Sequence, residues 1–97
     1  MTDPLEEARR RGERARAILE DEVFTGAFAT LEADWQRGWR QSGVADAEAR
    51  EHLYRMLTAL DAVRSELQRV MADGALAADE VEARKRDAAI AAVAHGY

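Results

Sequence analysis

With 97 residues, 19 acids against 14 bases and no cysteine, the chain has the size of one small domain with a thin core. A net charge of -5 argues against nucleic-acid binding through the fold as a whole, which needs a basic footprint, and the lack of cysteine removes disulfides, thiolate zinc sites and cysteine nucleophiles together. The 47% apolar fraction includes 21 alanines, which favour helix but add little core volume, so further burial by self-association or a partner is expected.

The chain opens without an apolar leader, and its longest apolar run, 88–94, is short and dominated by alanine. A mature, soluble, intracellular protein with no membrane partner is therefore expected. The bases are 13 arginines and Lys85, a bias attributed to a GC-rich genome before recognition.

Proline occurs once, at Pro4, and strand-like alternation is absent, so an all-α fold is expected. Asp3-Pro4-Leu5-Glu6 reads as an N-cap, a proline at the first helical position and an acid that can reach back to the cap. A first helix over about 4–20 follows, with Leu5, Ala8, Gly12, Ala15 and Leu19 at spacings of three and four. Asp21 should cap a second helix over about 22–42, whose apolar face is Phe24, Phe28, Leu31, Trp35 and Gly38/Trp39. Gly43 fits a left-handed residue closing that helix, with Val44 folding back near Trp39.

Asp46 should cap a third helix over about 46–73, stopped at Gly74. Its stripe, Leu53, Met56, Leu60, Val63, Leu67 and Val70, is the strongest periodic signal in the chain, broadened by Leu57 and Met71. Helices two and three, joined by so short a turn, should form an antiparallel hairpin, the core of the fold. Asp79 and Glu82 read as a further cap, opening an alanine-rich helix over about 79–94 that ends before Gly96.

At 1.5 Å per residue, helix three overshoots helix two by roughly seven residues, and Ile18 and Leu19 are expected to cover the overhanging Leu67, Val70 and Met71. Residues 1–14 and 76–97 of this single domain should then project as arms.

No catalytic constellation is legible: serine occurs only at 42 and 65, histidine only at 52 and 95, and there is no phosphate loop or nucleophile elbow. Glu48 and His52 stand one turn apart, but two ligands do not make a metal site, and a solvated helix face is the plainer reading. The expectation is a non-enzymatic protein without cofactor or metal.

The arginine cluster holding Arg10, Arg11 and Arg14 could meet an acidic partner or track phosphates. Its plainer reading is a self-paired solvated helix, because Glu6 and Glu7 precede Arg10 and Arg11 by four residues. Trp39 and Arg40, near the hairpin tip, are residue types enriched in interface hot spots. Trp35 belongs to the core by phase, whereas two helices cannot enclose all of Trp39. Leu57 and Tyr54 flank the seam and need cover. These seven residues form the expected partner-binding set.

The order of an Arg/Ala-rich first helix, AILEDEVFTGAFATLEADWQRGWRQSG and DAEAREHLYRMLTALDAVRSELQRVMADG resembles small helical proteins of unassigned role in tailed-phage genomes, often near head and packaging genes. The likeness spans about 13–74 and rests on helical patterning with the Ala49-Arg50-Glu51, Leu53-Tyr54 and Leu60-x-x-Val63-Arg64 elements. It implies no active site, and a setting of virion components or inhibitors of host machinery, in the host cytoplasm or the virion.

The leading expectation is a structural or assembly protein that self-associates, as a homo-oligomer, or docks on a larger virion component through apolar helix flanks. The alternatives are a small acidic inhibitor of a host nucleic-acid-binding enzyme, anti-CRISPR-like, and nucleic-acid binding through the arginine cluster.

Overall fold

The computed structural model of the chain describes residues 3–95. They form an all-α fold without strands among the described residues: α1 (Pro4–Glu20), α2 (Glu22–Gln41) and α3 (Ala47–His95). Local cap chemistry sets the helix starts. Asp3 accepts the Leu5 N–H at 3.0 Å, and Asp46 accepts the Ala49 N–H at 3.4 Å. Glu6 does not reach back to the cap as expected; its carboxylate takes Arg9 at 2.8 Å instead.

Asp21 alone separates α1 from α2. Its extended backbone lets its N–H close α1 on the Ile18 carbonyl at 3.2 Å, while its carboxylate caps α2 by accepting the Phe24 N–H at 2.9 Å. The break also resets the helical phase. In an uninterrupted helix, at about 100° per residue, Phe24 and Phe28 would point about 140° and 180° away from Leu19. Restarting the helix turns them toward α3.

The turn after α2 departs from the expected glycine closure. Ser42 is extended and its N–H caps Gly38 and Trp39, while its hydroxyl donates to the Trp39 carbonyl at 2.6 Å. No glycine among the described residues has positive φ, so Gly43 is not a left-handed stop. The tip is a tight turn in which the Asp46 N–H bonds the Gly43 carbonyl at 3.0 Å. Val44, expected to fold back near Trp39, stands 92% exposed there.

The largest correction concerns Gly74. Neither a stop at Gly74 nor a separate helix opened by Asp79 exists, because α3 runs unbroken for 49 residues, about 73 Å. Gly74 is instead a crossing point. A Cβ built on it would lie 2.5 Å from the Gly12 Cα, and one on Gly12 would lie 2.6 Å from the Gly74 Cα. Two backbones approach so closely only where both residues lack a side chain. The end expected before Gly96 cannot be compared, since 96–97 lie outside the described residues.

α1 and α2 follow one another along α3, both antiparallel to it, so the molecule is a rod of 81 × 23 × 22 Å. The expected arms are corrected accordingly. Residues 3–14 seat on α3, with Gly12 and Ala15 buried against the stretch that buries Gly74, Ala77 and Val81. Arg84 reaches Asp3 at 3.9 Å, and only beyond that level does α3 run without a helix across from it. Leu19 is half-buried beside Met71, as the overshoot argument required, whereas Ile18 is 41% exposed.

The buried apolar side chains among the described residues are Ala15, Leu60, Ala77 and Val81, and none lies in α2. Stripe residues Leu53, Met56, Leu67 and Val70 are half-buried, and so is Trp35, expected in the core. Leu31 and Val63, expected in the seam, are 39% and 50% exposed. A rod two helices thick has a seam but no enclosed interior.

Candidate functional site

The two flanks of the rod differ in chemistry. On one, Arg50, Leu57, Arg64, Met71 and Ala78 recur every seven residues along α3 and so share a face. Near the tip the Arg50 guanidinium lies over the Trp39 ring, 5.3 Å from its centroid. Tyr54 stands beside this pair, 64% exposed, and Trp39 is itself 42% exposed. Two turns further along α3 comes Leu57, half-buried.

Arg64 follows on the same row, its guanidinium 5.5 Å from the Phe28 centroid, bonding Glu32 at 3.1 Å and approaching Asp61 at 3.5 Å. Phe24 and Phe28 stack with centroids 4.4 Å apart. Beyond them a groove of 420 Å³ opens at the α1–α2 junction, with Leu19, Phe24, Phe28 and Met71 as its apolar wall and Glu32 and Arg64 at its rim. The flank thus presents an exposed Trp39/Tyr54 aromatic patch around a shallow hollow of 290 Å³ and an apolar socket, separated along α3 by about the 21 Å from Arg50 to Arg64.

The flank continues toward α1 as a wider groove of 650 Å³, in which Met71, Ala75 and Ala78 form the floor and Arg9, Glu13, Arg16 and Glu20 the wall. These charges are mutually satisfied: Arg9 pairs with Glu6 and Glu13, and Arg16 with Glu20 at 3.0 Å. The hydrogen bond and charge of Glu6, then the charge of Glu13, raise the Arg9 pKa.

The opposite flank is charged. Ala8, Arg11, Arg69, Val70 and Asp73 border a small cleft of 90 Å³, and Arg69 bridges Glu66 and Asp73. The hydrogen bond from Arg69, aided by the charges of Arg69 and Arg11, holds the Glu66 carboxyl below its ordinary range.

The structure divides the seven residues expected to bind a partner. Trp39, Tyr54 and Leu57 share the apolar flank. Arg40, in the last turn of α2, is exposed and is not the cation over Trp39; that role belongs to Arg50, across the hairpin. Arg10, Arg11 and Arg14 are exposed and fall within about 100° of one another around α1, where Arg11 borders the charged cleft and Arg10 turns its Nε to the Glu6 carbonyl at 3.3 Å. The expected Glu6–Arg10 and Glu7–Arg11 pairs are replaced by Glu6–Arg9–Glu13.

Sequence reasoning missed Arg50, Arg64 and the socket. The seven-residue repeat from Arg50 to Met71 was the available signal for the shared face, but pairing with rings across the hairpin needed the helix register.

Among the described residues no three metal-binding side chains converge, and no helix is long and apolar enough to cross a membrane. No protein-family model, curated protein or solved structure matches the chain.

Proposed function

We propose that the chain is a non-enzymatic interaction protein that works by covering its apolar flank with protein, in a structural or assembly role. One observation carries the reading: Trp39, Tyr54, Leu57 and the Phe24/Phe28 socket lie on a single side of a rod that has no further layer to bury them. Trp, Tyr and Arg are the residue types that dominate binding energy in interfaces, and sockets beside them serve as anchor sites. The likeness to tailed-phage proteins adds the setting, a component made in the host cytoplasm that joins the virion or its assembly.

The alternatives draw less support. An inhibitor that mimics nucleic acid needs carboxylates massed on one face, whereas here Glu6, Glu13, Glu20, Glu66 and Asp73 are each held by an arginine on their own helix. Phosphate tracking needs a basic footprint, whereas the sector of α1 that carries Arg10, Arg11 and Arg14 also carries Glu7, on a chain of net charge -5.

Paired substitutions test the reading. Leu60→Asp places a charge in the buried seam and should unfold the hairpin. Leu57→Asp should keep the helical circular dichroism yet abolish association with itself or with a component of the native host extract, read by light scattering after gel filtration. Equal loss of helicity in both variants, or unchanged association in Leu57→Asp, would contradict it.

A further inference from the structure

We infer that the occupant of the apolar flank is a second copy of this chain, packed antiparallel about a two-fold axis crossing the rod near Leu57, giving a four-helix bundle. The inference rests on the reading above and names its partner.

Three observations carry it. The first is area. The chain exposes 7561 Å², whereas a monomeric globular protein of its mass, 10.8 kDa, exposes about 5,500 Å². The excess of roughly 2,000 Å² per chain lies within what obligate homodimers bury per subunit, and well above the ~800 Å² per partner of a standard interface. One further layer of two helices would also supply the enclosed core that α2 lacks.

The second is symmetry. A two-fold axis makes an interface self-complementary, so an exposed aromatic patch and an apolar socket on the same face each meet the other when the axis crosses the rod between them. An axis midway between the Trp39/Tyr54 patch and the Phe24/Phe28 socket sets each copy's exposed aromatic rings against the other copy's socket. Arg50 and Arg64 bracket that midpoint, and Leu57 sits on it. An axis along the rod would set patch against patch and leave the sockets facing each other empty.

The third is charge. Arg50 makes no ion pair among the described residues. The group that antiparallel packing sets opposite it, Arg64 with Glu32 and Asp61, carries one net negative charge. Each end of the interface therefore pairs a free guanidinium with a carboxylate excess.

Engineered disulfides test both partner and orientation, and the absence of native cysteine makes every crosslink attributable. Ala47 borders the Trp39 patch and Gln68 borders the socket. Mixed Ala47→Cys and Gln68→Cys chains should form a mixed disulfide on mild oxidation, and each alone should stay reduced. Leu57→Cys should crosslink with itself, and Ser65→Cys, an exposed site off the flank, should not. The wild-type chain at tens of micromolar should scatter light as twice 10.8 kDa.

Crosslinking of Ala47→Cys alone would overturn the orientation in favour of a parallel pair. A monomeric mass with no crosslinks would overturn the second copy as occupant. The native extract then separates that failure from failure of the broader reading: a larger complex formed by wild type but not by Leu57→Asp leaves the interaction reading standing, and no complex removes it as well.

Discussion

Alanine placed at two different glycines should move stability in opposite directions. In an exposed helix interior, Gly→Ala stabilises by about 0.5–1 kcal/mol because alanine loses less backbone freedom on folding. Gly26 meets that condition, with nothing within 4 Å of an added Cβ, so Gly26→Ala should raise Tm by roughly 2–8 °C. At Gly12 the same methyl would sit 2.6 Å from the Gly74 Cα, 3.2 Å from the Gly74 nitrogen and 3.2 Å from the Val70 carbonyl oxygen.

All three atoms are backbone, so no rotamer change relieves the contact and the helices must separate. Overpacking of this kind costs about 1–3 kcal/mol, which exceeds the gain in helix propensity. Gly12→Ala should therefore lower Tm, by roughly 4–15 °C for a net loss of about 1–2 kcal/mol. Thermal melts at one fixed protein concentration, since association adds to apparent stability, read both variants. Adding Gly74→Ala to Gly12→Ala should cost less than Gly74→Ala does alone, because the first methyl has already parted the helices. Gly12→Ala at least as stable as Gly26→Ala would refute the close crossing and, with it, the continuity of α3 as packed against α1.

Other perturbations follow from the same packing. Leu60→Ala, at 8% exposure the most enclosed large side chain of the α2–α3 seam, should cost about 2–5 kcal/mol in urea unfolding. Asp21→Ala removes the carboxylate that holds the Phe24 N–H and should cost about 0.5–2 kcal/mol, with hydrogen exchange rising first in the opening turn of α2. Glu66, held low by Arg69, should titrate below ordinary glutamates in an NMR pH series. Because its folded pKa is depressed, its small surface contribution to stability is complete above the unfolded value near ~4.3 and is lost as pH falls through the folded value. Glu66→Gln should flatten that part of the acid limb.

The features legible in the sequence are those whose causes are local. Asp3, Asp21 and Asp46 cap helices because a carboxylate reaches its own chain's N–H groups two or three residues on, which spacing alone reveals. The α3 stripe was equally plain through Val70. Gly74 was misread because a glycine after a periodic run usually ends it. The stripe in fact continues in phase through Gly74, Ala77 and Val81 at spacings of four, three and four, with small side chains in place of large ones.

What distinguishes a stop from a crossing there is Gly12, 62 residues earlier, and that pairing is visible only once α1 lies along α3. The candidate site divides in the same way. Partial exposure of Trp39 and a need for cover at Leu57 and Tyr54 follow from the geometry of two helices. The Arg50–Trp39 and Arg64–Phe28 pairs and the socket depend on register between helices, which the spacing within any one helix does not set.

Tryptophan emission tests most directly whether a second copy of the chain covers the flank. In a Trp35→Phe background the signal belongs to Trp39 alone, which is 42% exposed in the single chain. Emission should lie to the blue at high protein concentration and move red on dilution, with a midpoint matching dissociation measured by sedimentation. Solvent-exposed emission unchanged across the whole concentration range would contradict a second copy as the occupant.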